Sequence, residues 1–518
     1  MLGKTTMGSP RPSRAARNVL ANWLAYLISG VVNFFLSPFI VHHLGNSAYG
    51  VWALLVSLTG YFGFLDLGIR GAVTRYVAKF YSEGAHDESS YTISSACGLF
   101  LTLGLFAIFA SALFSFLAIP HFQIPTAYMH AAQVVVVITG FNIAISLVSG
   151  VFGGVLVGLQ RFDLTNSIAL SGVVLKAIAI VFALKSGYGL VTLALIQLGG
   201  TLGELAAGLA LSHRQYPQAA LTLANMRRTY VSLIFSFGFF AFLLQLSNYL
   251  IYFTDALVIG AFLPVSMVTF FSIGSNLTIY ARDLAGGFSR TMTPLAAQLE
   301  VEKGLQGVRA ATLRGARLCA LTMWPIFITF IIRGRTFIGL WMGPSYADLS
   351  GHVLWILSLP WLFLAPVAVI ASVMLGISKH KSVVPAAVAE GLANLILSIV
   401  LVKRMGILGV AWGTAIPNIA SSIFFWPWYA KRILNIPVRE YFQSLWLVPL
   451  LGLLPFTVCT YLADRFWPAP NLLVFFSQVF CVVSTAAVSI WYLGLTAQER
   501  QSYGQRLAVI AGPLTKRT

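Results

Sequence analysis

The chain has 518 residues, of which 58% are apolar, 13% aromatic and only 9% charged. Globular proteins average about 25% charged residues, so a soluble fold of this size would lack its polar surface. The 33 Lys and Arg against 15 Asp and Glu leave a net charge of +18, but apolar runs of about 20 residues carry almost none of it, which marks transmembrane helices and excludes a nucleic-acid surface.

A polar, basic tail over 1–16 precedes the first apolar window, which is too long for a signal-peptide core and lacks a clear small-residue cleavage site. It is expected to be retained. In chain order the windows predict fourteen helices, at roughly 18–42, 47–66, 91–118, 127–158, 162–185, 189–212, 230–258, 262–281, 309–332, 349–376, 382–402, 407–430, 443–463 and 471–494. With the N-terminus cytoplasmic, 26 basic residues fall on the inside and 6 outside, leaving Lys176 within a span. That asymmetry predicts cytoplasmic N- and C-termini. The longest connections are about 213–229, 282–308 and 333–348, too short for a soluble catalytic domain. Four cysteines all lie in apolar runs without CxxC or Cys/His spacing, so neither a disulfide framework nor a zinc site is expected.

Self-comparison shows a duplication. Asn33 and Gly45 recur as Asn248 and Gly260, Asp66 as Asp283, Gly158 with Arg161 as Gly376 with Lys379, and Lys185-Ser-Gly187 as Arg404-Met-Gly406, at offsets of about 215–219. The expected organisation is a six-helix lobe over 17–213, a linker over 214–229, a second lobe over 230–432, two further helices over 443–494 and a tail over 495–518. Six is even, so the repeats run parallel about an axis along the membrane normal. Repeats of this kind are common in transporters, with the substrate at their interface. Gly150, Gly154 and Gly158 form a stripe on one helix face where another backbone can approach closely.

The run Leu44-Gly-Asn-Ser-Ala-Tyr49-Gly50-Val-Trp52, followed by Leu65-Asp66-Leu67-Gly68-Ile69, Ala72-Val-Thr-Arg75-Tyr76 and Glu83-Gly84, resembles the N-terminal signature of the polysaccharide transporter family. These are the Wzx-type oligosaccharide flippases of the multidrug/oligosaccharidyl-lipid/polysaccharide (MOP) superfamily. The signature covers about 18–84, and the helix plan extends the likeness over about 17–495. The resemblance implies an all-α, V-shaped bundle like that of MATE transporters. It also implies movement of an undecaprenyl-pyrophosphate-linked sugar from the cytoplasmic to the periplasmic leaflet of a bacterial inner membrane. Typical members have twelve helices, so the pair at 443–494 is a departure.

Such a transporter asks for cations to hold pyrophosphate, polar groups for sugars and a means of coupling. Arginine suits phosphate because its planar fork can bind two oxygens. Lys176, near the middle of its span, is the best cavity cation, or else it forms a structural pair with Glu204 on the next helix. Arg70 and Arg75, with Asp66, mark the end of the second helix, and Arg282 and Arg290, with Asp283, the equivalent place on the eighth. They are candidates for pyrophosphate contact and, at Asp66 and Asp283, for an inward gate; interfacial topology-setting charge explains them as well. Asn33 and Asn248 can hydrogen-bond sugars or neighbouring helices. Glu204, Asp255 and Glu390 are the buried acids open to ion coupling.

No HExxH, GxSxG or Walker loop occurs, so no enzyme is indicated and no cofactor is expected; a proton or sodium gradient is the energy source open to the chain. The expected partners are a lipid-linked oligosaccharide, membrane lipids, and polysaccharide polymerase and chain-length machinery, with the protein itself a monomer. The rival readings are a cation-coupled multidrug antiporter of the same superfamily, which should favour an acidic cavity, and an integral-membrane polymerase or ligase, which should show a large outer loop.

Overall fold

A computed structural model describes residues 12–219, 222, 225–234, 249, 251, 253–494 and 500–501. Among the described residues the chain is built from helices and contains no strand. Ten helices are long and apolar enough to cross a membrane, or eleven if Pro344–Ser358 and Trp361–Gly376, bent by 43°, form one span. The protein is an all-α, multi-pass membrane protein. Its chain divides into two compact units, Met1–Thr269 and Phe270–Thr518.

The first unit begins with α1 (Pro12–Phe62), which joins the predicted helices 18–42 and 47–66 across a break at Gly45, where φ is 76°. Glycine takes that left-handed conformation without a steric penalty. Leu67 and Gly68 then turn the chain into α2 (Ile69–Glu83), a helix absent from the predicted set. Arg70 and Arg75 therefore sit on a helix of their own and not at the end of the second predicted one. There follow α3 (His86–Leu117), α4 (Thr126–Gly158), α5 (Phe162–Lys185), α6 (Leu190–Gln215) and α7 (Thr254–Phe262). α5 has Asp163 in its first turn and Lys185 in its last, each where the helix dipole favours its sign. The predicted helix 230–258 falls largely outside the described residues, and with it Asn248.

The second unit runs from within α8 (Ser266–Arg290) through α9 (Met292–Trp341), α10 (Pro344–Ser358), α11 (Trp361–Gly376), α12 (Val384–Met405) and α13 (Ile407–Ala420). A π-helical turn over Ser421–Phe425 leads into α14 (Trp426–Leu434), then α15 (Val438–Phe442), α16 (Val448–Phe466) and α17 (Leu472–Ser489). The segments 282–308 and 333–348, expected as loops, are mostly helical: α8 extends to Arg290, α9 runs from Met292 to Trp341 with a break at Gly304 (φ 60°), and α10 starts at Pro344. Hydropathy windows see only the apolar stretch of a helix, whereas hydrogen bonding can carry it onward through solvated residues such as Glu300, Glu302 and Lys303, all well exposed or partly so. The side chain of Asn471 starts α17 by accepting from the Val474 backbone N–H at 2.9 Å.

The glycine stripe is a helix-packing surface. A Cβ on Gly154 would lie 3.2 Å from the carbonyl oxygen of Arg70, and one on Gly158 would lie 2.9 Å from that of Thr74. α2 thus rests its backbone on α4. The second unit repeats the device, because a Cβ on Gly376 at the end of α11 would lie 2.3 Å from the carbonyl oxygen of Thr293 near the start of α9. The turns that follow these two glycines share their hydrogen bonds, 218 residues apart. Leu159, Gln160 and Arg161 donate to Val155, Val157 and Leu156, and Ile377, Ser378 and Lys379 donate to Val373, Leu375 and Met374. Gln160 and Ser378 adopt positive φ values of 58° and 57°. Gly376→Ala is expected to destabilise the protein by about 1–3 kcal/mol through this overpacking, read as a lower melting midpoint. Gly153→Ala, where nothing lies within 4 Å of the added methyl, should leave the midpoint unchanged or slightly raised.

Candidate functional site

Lys176 and Glu204 are brought together by matched spacings on two neighbouring helices. Lys176 Nζ donates to Glu204 Oε1 at 3.0 Å, with side-chain exposures of 21% and 31%. One turn earlier on α5 stands Gly172, and one turn earlier on α6 stands Gly200. A Cβ on Gly172 would meet the Glu204 carboxylate at 2.8 Å, and one on Gly200 would meet the Lys176 stem at 2.5 Å. Each helix therefore gives up a side chain so that the partner's charged one can cross. The attraction offsets the desolvation of two charges only because geometry this close is available.

Arg70 reaches back to Asp66, whose Oδ2 is 3.7 Å from its Nε and whose Oδ1 accepts from its backbone N–H at 3.1 Å. Its guanidinium covers Gly150 and its Nη2 lies 3.5 Å from the Ser146 carbonyl oxygen. Arg75 is exposed and lies 5.8 Å from the centre of the Tyr76 ring. In the second unit Arg282 pairs with its neighbour Asp283 at 3.3 Å, and Arg290 ends α8 at an exposed position. Each basic cluster is thus accompanied by its own acid, as the sequence places them. Asn33 donates to the Ser29 carbonyl oxygen one turn back at 2.9 Å, a bond within its own helix.

Of the acids, Asp255 is buried in the first turn of α7. Glu390 on α12 hydrogen-bonds the side chain of Ser421, which opens the π-helical turn after α13. One turn beyond Glu390, Asn394 donates to Thr414 Oγ1 of α13 at 2.9 Å, and Asn418 donates to the Thr414 carbonyl oxygen at 2.8 Å. Glu390 and these groups form a polar seam between two apolar helices. π-turns of this kind recur at functional sites.

Sequence reading missed the most deeply buried cation among the described residues. Arg333, counted among the outer-loop charges, lies within α9 at 1% exposure. Its Nε is 3.3 Å from Asp464 Oδ1, its Nη2 donates to Gln478 Oε1 at 2.5 Å, and its guanidinium lies 4.5 Å from the centre of the Phe475 ring. Thr336 also donates to Asp464 at 3.0 Å, and Gln478 donates to the Trp467 carbonyl oxygen at 2.9 Å. The partners come from α16, α17 and the turn between them, so one arginine fastens the additional helix pair to α9. A signal was present: acids are so scarce in this chain that Asp464, near the end of an apolar window, required a cation. At the opposite end of the pair, Arg309 forms an ion pair with Glu440. Among the described residues no group of three or more His, Cys, Asp or Glu could hold a metal ion.

The fold is shared with proteins of known structure. A solved structure of the lipid II flippase MurJ in an inward closed conformation is similar over 92% of this chain and 98% of its own, with a TM-score of 0.67 and 16% identity. An inward-facing MATE multidrug resistance transporter of the MOP superfamily is similar over 80% and 95%, with a TM-score of 0.68 and 14% identity. The fold is similar to those of these two solved transporters. Residues 15–299, more than half of the chain, match the family described as polysaccharide biosynthesis protein, and the chain belongs to that family. A putative O-antigen transporter of Shigella flexneri is 21% identical over 81% of this chain and 98% of its own length. The protein is a multi-pass membrane protein of this polysaccharide biosynthesis family.

Proposed function

We propose that this protein is a flippase that carries an undecaprenyl-pyrophosphate-linked oligosaccharide from the cytoplasmic to the periplasmic leaflet of a bacterial inner membrane. The observation that carries this reading is the match to the Shigella protein named an O-antigen transporter along nearly its whole length. In this reading both termini are cytoplasmic, in keeping with the 26-to-6 distribution of basic residues. Transport proceeds by alternating access, and the cations of α2 and α8 meet the pyrophosphate. A proton or sodium gradient supplies the energy. Glu204 is already committed to Lys176, which directs the coupling role toward Asp255 and Glu390. The polymerase and chain-length machinery would receive the product.

The fold similarity to the lipid II flippase covers more of the chain than the similarity to the MATE transporter, which fits the flippase reading better than drug export. Deleting the gene should abolish surface polysaccharide and make its lipid-linked precursor accumulate in the inner leaflet, both restored by the wild-type gene. Accumulation is measured by extracting the lipid-linked sugars and testing their access to an outside glycan-modifying probe. Unaltered surface polysaccharide in the deletion strain would overturn the reading. A selective gain of sensitivity to cationic drugs would replace it with the exporter.

A further inference from the structure

We propose that the first unit carries a binding site for a phosphate headgroup where α2 meets the helical turn that begins at Arg228. This site is independent of the transport reading. An open cleft of about 610 Å³ is lined there by Phe80, Arg228, Thr229, Tyr230, Ser232 and Leu233, within the size range of small-ligand sites. The guanidinium-bearing Arg228 and the hydroxyl-bearing Thr229 and Ser232 line it together with the aromatic Phe80 and Tyr230, and among the described residues no acid lines the cleft. Among the described residues Arg228, Thr229 and Ser232 have no ion-pair or side-chain hydrogen-bond partner.

The surroundings hold this arrangement in place. Ser95 of α3 binds the segment just before the cleft: its Oγ accepts from the Arg227 N–H at 3.0 Å and lies 3.4 Å from the Arg227 carbonyl oxygen. The Met226 side chain sits over Gly98, where a Cβ would lie 2.4 Å from its sulfur. The neighbouring cations are seated on aromatic rings. Lys79 lies over Phe80 at 5.5 Å and Arg227 over Tyr91 at 5.2 Å. Tyr91 in turn packs against Tyr230 of the cleft lining, with ring centroids 5.7 Å apart. Those cations raise the local positive potential while their positions on the rings leave Arg228 to address the cleft. A forked guanidinium with two hydroxyl donors matches the oxygens of a phosphate. α2 lies outside the candidate spans, and the cleft lies near the start of the span His86–His121, the depth at which basic and aromatic groups meet lipid headgroups. A bare topology-setting arginine would need neither the hydroxyls nor the pinned backbone.

The phosphate could be that of an anionic phospholipid or free phosphate, and one titration set separates them. Purified full-length protein in neutral detergent is titrated with short-chain phosphatidylglycerol, short-chain phosphatidylcholine and inorganic phosphate, with binding read from the shift in melting midpoint. Phosphatidylglycerol is expected to bind, and Arg228→Gln should weaken that binding about tenfold, the loss of a charge-assisted hydrogen bond. Arg228→Lys, which keeps the charge and loses the fork, should weaken it less. Arg404→Gln, an exposed arginine of the second unit, should not change it. If inorganic phosphate binds with the same dependence on Arg228 and phosphatidylglycerol does not, the source is free phosphate and the site stands. Binding that is insensitive to both Arg228 variants, equally sensitive to Arg404→Gln, or absent for every probe overturns the proposal.

Discussion

Arg333→Met is expected to destabilise the second unit by about 3–5 kcal/mol, the usual effect of removing one partner from a buried ion pair. The arginine is 1% exposed and satisfies Asp464 and Gln478 together, so its loss leaves a carboxylate and an amide without their main donor. The melting midpoint of the purified protein should fall, and the last two helices should become sensitive to protease at concentrations that leave the wild type intact. Arg333→Lys should recover little, because a single ammonium cannot span both acceptors while lying over Phe475. Replacing all three polar groups, as Arg333→Met with Asp464→Leu and Gln478→Leu, should recover much of the loss, since an apolar cluster avoids the desolvation of the ions. An unchanged midpoint in Arg333→Met would remove the fastening role.

Lys176→Met should lower the amount of folded protein in the membrane, because Glu204 would be left charged beside apolar helix faces. The charge swap Lys176→Glu with Glu204→Lys should restore it, with a coupling on the order of 1–3 kcal/mol between the two sites. Membrane levels by immunoblot and surface polysaccharide measured in the same cells separate two roles. Recovery of both in the swapped protein assigns the pair to structure. Recovery of protein without polysaccharide assigns Lys176 a part in transport that depends on which helix bears the positive charge. Loss of polysaccharide at normal membrane levels in Lys176→Met would point to transport directly.

The close spacing that makes Lys176 informative was legible in sequence: a lone cation about 15 residues into an apolar span and an acid on the next one. The accommodating glycines, 172 and 200, were not, because pairing them requires the rotation of α5 against α6. Gly150, Gly154 and Gly158 could be read as a packing stripe from their four-residue period alone, yet the partner that fills it, α2, could not. Its 15 residues are too polar to register as a span, and without them Arg70 and Arg75 looked like the end of another helix. Arg333 was misplaced for a related reason. A positive residue next to an apolar window is ordinarily outside the membrane, and only contact with α16 and α17, about 130 residues later, turns that position into an interior.

Sequence alone determined that this chain is an all-α membrane protein, because long apolar runs with 9% charge leave no other way to satisfy the backbone and the surface together. The family was also legible there, in short runs of residues around Gly50, Asp66 and Arg75. Tertiary structure decided which of the scarce charges are already spent on one another: Lys176 with Glu204, Arg333 with Asp464, Arg309 with Glu440. It also placed Arg228 at the lining of an open cleft. The physical reason is that hydropathy and period depend on neighbours within a turn or two, whereas the environment of a charge is set by whichever helices pack beside it.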